Sequence, residues 1–235
     1  MSKLFNLENK NVLLTGASKG MGLAMAQGLV NHGANVVISS RKLDQCEKAA
    51  KTINDSIDQE KAFAYSCNTS SKEELNALVD FSMSKLGSIT TLVCNAGVNS
   101  FFGSMSEIDD ESYDKTMNTN VKSNHWLINM VSPFMKESGG GSIMITSSIA
   151  AFDASELGPS NIRVNAICPG LVKTDFSKLL WENPDAEKAT SQRMPLRRLG
   201  EADDFQGVAV FLASDESSFM TGQALTICGG ASMWS

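Results

Sequence analysis

Residues 11–30 read NVLLTGASKGMGLAMAQGLV, and this stretch decides the fold. Its first five residues, Asn11–Thr15, are a short apolar run that predicts a buried β-strand. Three glycines come between this run and a helical pattern that extends over residues 23–30: Gly16, Gly20 and Gly22. The first permits a tight turn, the second lets backbone approach a pyrophosphate, and the third allows close helix packing. The order of strand, glycine loop and helix predicts a phosphate-binding loop at a helix N-terminus.

Short apolar runs alternate with longer helical patterns along most of the chain, as is typical of βαβ units. The predicted strands are 11–15, 35–39, 62–66, 91–94, 142–146, 162–167 and 224–227. The predicted helices are 20–32, 43–54, 72–86, 111–136 and 202–213. The 235 residues, 42% of them hydrophobic, are enough for one sizeable core. We therefore expect a single α/β domain over residues 1–235, with a Rossmann fold and a doubly wound parallel sheet of about seven strands.

Composition excludes several classes of function. A net charge of -6 gives no basic surface for nucleic acid, and no segment has the length and apolarity of a membrane span. The polar first eleven residues show no targeting pattern, so we expect a cytoplasmic protein with a small-molecule partner. Single, scattered cysteines predict reduced thiols, and two histidines leave little for a metal site. These residues are Cys46, Cys67, Cys94, Cys168, Cys228, His32 and His125.

The glycine loop also satisfies the pattern G-x-S-x-G, in which Ser18 would be the nucleophile of an α/β-hydrolase. The order of the other residues argues against this alternative. A hydrolase of that kind needs an acid and then a histidine after the serine, whereas the last histidine, His125, falls in a helical pattern in mid-chain. The loop also follows the first strand, where a nucleophile elbow would have several strands before it. Nucleotide binding is the favoured interpretation.

The residues after the second predicted strand distinguish the two nicotinamide cofactors. A chain that binds NAD has an acidic residue there for the ribose hydroxyl, about 20 residues beyond the loop. This chain has Ser39, Ser40 and Arg41 instead. A guanidinium suits the 2′-phosphate of NADP(H), and Lys19 in the loop adds a second cation. The alternative is that Arg41 and Lys42 are a solvated helix start. We expect NADP(H).

Further motifs lie along the chain in a definite order. T-G-x-x-x-G-x-G spans residues 15–22, N-A-G 95–97, I-T-S-S 145–148, P-G 169–170, and a closing glycine pair 229–230. With this order and spacing, nearly the whole chain resembles the short-chain dehydrogenase/reductase family. The phrases SSRK at 39–42 and MPLRRLG at 194–200 are most similar to its NADPH-dependent carbonyl and retinal reductases. The resemblance implies an oxidoreductase that transfers hydride between NADP(H) and a carbonyl compound or secondary alcohol, as a homo-oligomer, either a tetramer or a dimer.

The resemblance also implies roles for individual residues. Ser148 would hydrogen-bond the substrate oxygen, Asn120 would hold a proton-relay water, and Asn95 would steady the cofactor. Asn68 stands where the family often has an aspartate that touches adenine, and an amide can hydrogen-bond there too. The residues implied to bind cofactor are Gly16, Ser18, Lys19, Gly20, Met21, Gly22, Arg41, Asn68, Asn95, Ala96, Gly97, Pro169, Gly170, Val172 and Thr174. Taken singly, Asn120 is also consistent with an ordinary mid-helix residue.

The family's catalytic pair is missing from the chain. Hydride transfer in the family uses a tyrosine, which exchanges a proton with the carbonyl oxygen, and a lysine four residues later, which lowers the tyrosine pKa. Tyr65 is followed at that distance by Thr69, and Tyr113 by Met117. The crossover 147–161 is abnormally short and contains the helix-stopping pair Gly158-Pro159. Roughly twenty residues are missing compared with a helical crossover.

Two explanations of the short crossover remain open. In the first, the natural protein carries a Tyr/Lys segment here, because loss of a crossover helix would uncover apolar sheet and cost burial free energy. In the second, the crossover is truly short and the chain is either a catalytically silent NADP(H)-binding protein or a poorly folded variant. An intact mass near 25.2 kDa would contradict the first explanation.

The segment 176–193, which includes Leu179, Leu180 and Trp181, stands where the family has its mobile substrate lid. Its apolar residues indicate a hydrophobic substrate. An amphipathic helix that packs on the core would explain the same residues equally well.

Overall fold

One parallel sheet of seven strands runs through the molecule. The computed structural model describes residues 4–103, 107–146 and 154–231. The strands are β1 (Asn11–Thr15), β2 (Asn35–Ser40), β3 (Ala62–Ser66), β4 (Thr91–Cys94), β5 (Gly141–Thr146), β6 (Ile162–Pro169) and β7 (Ala224–Ile227). Their order in the sheet is β3-β2-β1-β4-β5-β6-β7. The predicted single-domain Rossmann fold with about seven parallel strands is confirmed.

Helices cover both faces of this sheet. They are α1 (Gly20–Asn31), α2 (Leu43–Ile57), α3 (Lys72–Leu86), α4 (Asp110–Met117), α5 (Ser123–Glu137), α6 (Ala154–Leu157), α7 (Pro184–Arg193) and α8 (Gln206–Ala213). A π-helical turn, Asn118–Lys122, joins α4 to α5, and 3-10 turns lie at Gly158–Ser160, Asp175–Leu180, Ala202–Phe205 and Asp215–Ser217. Among the described helices, none has the length and apolar character needed to cross a membrane.

The central strands β1, β2, β4 and β5 are buried on both faces, as a sheet covered by helices requires, whereas the edge strands β3 and β7 are partly exposed. Successive residues of β1 show this directly. Val12 and Leu14 pack in the cluster formed with α1, α2 and α8, whereas Leu13 packs in the cluster formed with α3 and α5. Side chains alternate between faces along a strand, so one apolar run supplies both layers. This is why residues 11–15 read as continuously hydrophobic.

The predicted helical stretch 111–136 is one unbroken helical run, made of α4, the π turn and α5. The π turn places the Asn120 side chain against Val98. For residues 176–193 an amphipathic helix was one of the alternatives, and helix α7 lies in this segment. It buries none of its residues and has no apolar stripe to detect, although Asn183 caps it by accepting hydrogen bonds from Asp185 and Ala186 at 2.9 and 3.3 Å.

The crossover from β5 to β6 is short in the structure as in the sequence. Its described part is the four-residue helix α6 and the turn Gly158–Ser160, and the glycine and proline end the helix as predicted. The expectation that a short crossover uncovers the sheet is wrong for the described strands. Ile145 is 1% exposed, Val164 is 0% exposed, and both share an apolar cluster with Leu157 at the end of α6.

Candidate nucleotide-binding and active site

The sequence motifs meet along one edge of the sheet. All strands run in the same direction, so the loops that follow β1, β2, β3, β4 and β6 lie at the carboxyl ends of the strands. The chain reverses its direction of winding between β1 and β4, which are neighbours in the sheet. Ligands of doubly wound sheets bind in the crevice at this reversal. The glycine loop and the N-A-G segment lie on its two sides.

The glycine loop is packed so closely that side chains are excluded. Gly16 has a φ of +65°, and a Cβ there would lie 2.7 Å from the Ala96 Cα. A Cβ on Gly22 would lie 2.6 Å from Asn95 Nδ2 and closer still to the Gly16 carbonyl oxygen. These are approaches that only glycine tolerates. The two glycines therefore let the loop fold against the end of β4.

This loop leads directly into the N-terminus of α1. The first N–H groups of a helix have no partner within the helix, and the helix dipole adds partial positive charge. No acidic residue lies in the first turn of α1, and the backbone of the preceding Lys19 is extended. Ser18, Gly20 and Met21 lie at this mouth, as predicted. The backbone geometry fits the pyrophosphate of a dinucleotide.

Asn95 joins the ends of three strands. Its Nδ2 donates to the Gly16 carbonyl at 2.9 Å, and its Oδ1 accepts from the Thr146 hydroxyl at 3.2 Å. Its backbone N–H donates to the Thr15 hydroxyl at 3.2 Å. Both ends of the amide are thus used within the protein. Asn95 positions the glycine loop, and the three hydroxyl and carbonyl partners were not apparent from the sequence.

Asn120 lies on the π turn, and both ends of its side-chain amide hydrogen-bond the backbone of one residue, Val98. Its Oδ1 accepts from the Val98 N–H at 2.8 Å, and its Nδ2 donates to the Val98 carbonyl at 2.8 Å. Its own carbonyl accepts from Asn124 Nδ2 at 2.9 Å. The amide oxygen has a second lone pair and the amide nitrogen a second N–H, so the side chain, like the backbone carbonyl, has capacity for a further hydrogen-bond partner.

An exposed cation lies at the carboxyl end of β2. Arg41 follows β2 directly, two residues beyond Ser39, which is the register partner of Thr15 on β1. Among the residues that the structure describes, no carboxylate forms an ion pair with Arg41. Asn68 follows β3, where its Oδ1 accepts from the Ser70 N–H at 3.2 Å.

The segment after β6 packs against the end of β7 and reaches the glycine loop. A Cβ on Gly170 would lie 2.7 Å from Cys228 Cα, so this segment is pressed against the end of β7. Val172 is buried and bridges to Gly200. The side chain of Thr174 faces the glycine loop, 3.4 Å from where a Cβ on Gly20 would be. The two predicted ends of the cofactor site thus face each other across the crevice.

Charged residues tie the lid segment to its surroundings. Lys19 in the glycine loop forms an ion pair with Asp175. The hydrogen bond and charge of Lys19 lower the pKa of the Asp175 carboxyl. Lys173 lies 2.6 Å from Glu187 on α7 and 3.5 Å from Glu201, and the bond with Glu187 raises the pKa of Lys173. Lys19 was predicted to bind a cofactor phosphate, and its pairing with Asp175 was not foreseen.

The apolar residues of the lid segment face outward. Phe176, Leu179 and Leu180 are 52%, 66% and 51% exposed. The alternative that they pack on the core is therefore wrong. Phe176 lies over the N-A-G segment, with its Cε2 atom 3.9 Å from where a Cβ on Gly97 would be. This places an open hydrophobic surface next to the crevice.

The predicted catalytic serine, Ser148, lies outside the described residues. The two tyrosines do not take the place of the missing one in the described structure. Tyr65 lies on the edge strand β3, stacked on Phe81 at 4.7 Å between ring centroids, and Tyr113 is exposed on α4. All five cysteines are free thiols, as predicted, and the described residues contain no cluster of three metal-binding side chains.

An ion pair joins Arg198 to Asp204 in the turn that precedes α8. Arg198 donates to both Asp204 oxygens, at 2.6 and 2.8 Å, and Asp204 also accepts from the Glu201 N–H at 2.8 Å. The bonds from Arg198 lower the pKa of Asp204 to about 2.

We expect this pair to make stability depend on pH. Asp204 has a lower pKa when folded than when unfolded, so its contribution is present near and above pH 4 and is lost as the pH falls towards 2. Asp204→Asn should lower the free energy of unfolding at pH 7 by about 1 kcal/mol and flatten its pH dependence in this window. Urea unfolding at several pH values measures both. An equal pH dependence in the two proteins would contradict the assignment.

The fold and the glycine crevice together define a dinucleotide-binding Rossmann protein. Comparison with known sequences identifies the family within this class. The profile of the short chain dehydrogenases matches residues 10–155, and a second profile, described as Enoyl-(Acyl carrier protein) reductase, matches residues 152–232. The chain belongs to the short-chain dehydrogenase/reductase family of oxidoreductases, which use a nicotinamide cofactor.

Individual relatives agree with this assignment. Dehydrogenase/reductase SDR family member 4 of Homo sapiens is 36% identical over 98% of this chain and 90% of its own length. The Caenorhabditis elegans protein of that name is also 36% identical, over 95% of each chain. Among solved structures, a 7 alpha-hydroxysteroid dehydrogenase complexed with NADH and 7-oxo glycochenodeoxycholic acid has a TM-score of 0.88 and 34% identity. The superposition covers 98% of this chain and 97% of the dehydrogenase chain.

The same comparisons bear on the short crossover. The alignment with the human relative is 255 positions long, whereas this chain has 235 residues, so at least 20 positions have no residue here. The two family profiles also meet at residues 152–155, inside the crossover 147–161.

Proposed function

We propose that the natural protein, with the missing Tyr/Lys segment supplied, binds NADP(H) in the crevice and exchanges hydride between that cofactor and a hydrophobic carbonyl compound or secondary alcohol. The observation that carries the proposal is the exposed Arg41, which directly follows β2 and forms no ion pair with any carboxylate that the structure describes. A guanidinium in that position favours a 2′-phosphate over a free ribose hydroxyl.

The proposal gives each predicted site residue a task. The glycine loop and the start of α1 bind the pyrophosphate, while Asn68 hydrogen-bonds the adenine. Asn95, Ala96 and Gly97 support the loop from the end of β4. Pro169, Gly170, Val172 and Thr174 hold the nicotinamide end. When bound, NADPH supplies the hydride.

The substrate would lie between the nicotinamide end and the lid. Ser148 would hydrogen-bond the oxygen that is reduced, and a water held by Asn120 would pass a proton. Phe176, Leu179 and Leu180 offer the apolar surface, which suits a bulky ketone. The steroid named with the related 7 alpha-hydroxysteroid dehydrogenase is of this kind. We also propose that the protein works as a homo-oligomer, a dimer or a tetramer.

We expect Arg41→Ala to raise the dissociation constant for NADPH about 10- to 100-fold, because a charge-assisted pair with the 2′-phosphate is lost. The dissociation constant for NADH should change less than about twofold, since NADH has no such phosphate. Fluorescence titration with both nucleotides measures this. Lys42→Ala is the matched control, because it removes the neighbouring cation and should have a much smaller effect. Equal losses for NADPH and NADH would contradict the proposal.

A catalytically silent NADP(H)-binding protein is the second candidate function. It is favoured by the absence of any tyrosine with a lysine four residues later in the sequence. Assays with a panel of ketones, aldehydes and retinal, run beside NADPH titration, separate the two candidates. Binding without turnover supports the silent protein, and absence of binding contradicts both. An intact mass near 25.2 kDa would establish that the short crossover is real.

A further inference from the structure

The glycine loop and the lid meet through oppositely charged side chains at the mouth of the crevice. Lys19 is the last residue before α1, and Asp175 follows Thr174 at the start of the turn Asp175–Leu180. The two form an ion pair although they are 156 positions apart in sequence. Both side chains remain about two-thirds exposed, so a ligand in the crevice can reach them.

The lid segment behind Asp175 is held together by its own hydrogen bonds. The Trp181 indole donates to the Thr174 carbonyl at 3.1 Å, and the Ser177 hydroxyl donates to the Val172 carbonyl. The Glu182 N–H donates to the Lys178 carbonyl at 2.8 Å. Because of these hydrogen bonds, a displacement of Asp175 would move the whole turn and not only one side chain.

A phosphate at the N-terminus of α1 would compete with Asp175 for the same ammonium. Lys19 adjoins the unpartnered N–H groups of the helix, where an anion is favoured. The Asp175 carboxylate brings a negative charge to this place, and Lys178, itself 3.3 Å from Glu182, adds further positive charge nearby. Lys19 cannot fully satisfy both a phosphate and the carboxylate.

We propose that Asp175 is a charge latch: it holds Lys19 and keeps the turn Asp175–Leu180 closed on the glycine loop until a cofactor phosphate replaces the carboxylate on Lys19. The latch makes Asp175 a determinant of nucleotide affinity, and it links the arrival of cofactor to the release of the lid. It deepens the proposed nucleotide binding and rests on it.

The first test measures the latch without nucleotide. In the nucleotide-free protein, Asp175→Asn and Lys19→Gln should each increase the rate of tryptic cleavage after Lys178, about three- to tenfold, because either change releases the turn. Lys19→Gln leaves the sequence around the cleavage site intact, so an increase in both variants cannot come from altered protease recognition. Asp55→Asn, which breaks the equally exposed pair Lys51–Asp55 on α2, should leave the rate unchanged. Unchanged cleavage in both latch variants would overturn the proposal.

The second test measures nucleotide affinity. Asp175→Asn should lower the dissociation constant for NADPH about three- to tenfold, because a competing charge is removed. In the Lys19→Gln background, the same change should have less than half this effect on a logarithmic scale. Weaker or unchanged binding by Asp175→Asn, in a wild-type protein that binds NADPH, would overturn the latch alone. A wild-type protein that binds no NADPH would contradict the proposed function, while the cleavage test would still report on the ion pair.

Discussion

Gly22→Ala should weaken NADPH binding at least about 100-fold, the largest effect we expect from any single methyl group in this chain. The added Cβ would lie 2.6 Å from Asn95 Nδ2 and 2.9 Å from Ala17 Cα, and neither atom can move freely. Asn95 is held by Gly16 and Thr146, and Ala17 belongs to the loop itself. The start of α1 must therefore shift, which displaces the N–H groups that would bind phosphate. Overpacking of this kind also costs stability, about 1–3 kcal/mol.

Titration with NADPH and urea unfolding measure the two parts of this prediction. Gly207→Ala on α8 is the matched control, since a Cβ there meets nothing within 4 Å. Alanine is also the better helix former, so the control should bind normally and be slightly more stable. A Gly22→Ala protein that binds NADPH as well as this control would show that the close approach to Asn95 does not matter.

Insertion of a catalytic crossover should have the second large effect. We expect a helical segment of about twenty residues between Ser148 and Asn161, carrying a tyrosine and a lysine four residues later, to raise ketone reduction about 100- to 10,000-fold. The tyrosine would protonate the developing alkoxide, and the lysine would lower its pKa. The parent chain supplies the crevice but not the proton donor. Consumption of NADPH with a bulky cyclic ketone measures the rate.

The same inserted segment with phenylalanine in place of the tyrosine controls for effects of folding alone. This variant should bind NADPH as tightly as the active one and reduce the ketone at the slow rate of the parent chain. Equal rates in all three proteins, with equal NADPH binding, would mean that the crevice does not present a carbonyl to the crossover. High activity in the parent chain would show that another group donates the proton.

Much of the architecture could be predicted from the sequence because it depends on short-range patterns. Strands β1, β3, β4 and β7 were predicted with their observed ends, since each is a short run of mainly apolar residues bounded by helical or turn segments. Helix α3 was predicted with both ends for a similar reason: Ser71 caps its start and Gly87 its end. The features that could not be predicted have the opposite cause. Helix α7 has no buried face, and the π turn exists for a contact with Val98 that lies outside the helix.

Some features of the site could likewise be predicted from the sequence, and others could not. The glycine loop and Arg41 follow strands directly, so their places at the carboxyl edge came from the order of motifs. The hydrogen-bond partners of Asn95 and Asn120 could not be predicted from the order of motifs, because each bond joins segments that are distant along the chain. The outward orientation of Phe176, Leu179 and Leu180 also could not be predicted, since an apolar residue in a sequence does not show whether the core has room for it.

The sequence by itself determined the Rossmann fold, the glycine loop that leads into α1, the cation that follows β2 and the absence of a tyrosine with a lysine four residues later. These rest on residue types at fixed spacings, which local backbone preference and strand periodicity translate into structure. Only the tertiary structure decided that Gly22 approaches Asn95 too closely for a side chain, that the apolar side chains of the lid are exposed, and that Lys19 is held by Asp175. Such contacts depend on how distant segments pack in three dimensions, and no spacing along the chain records them.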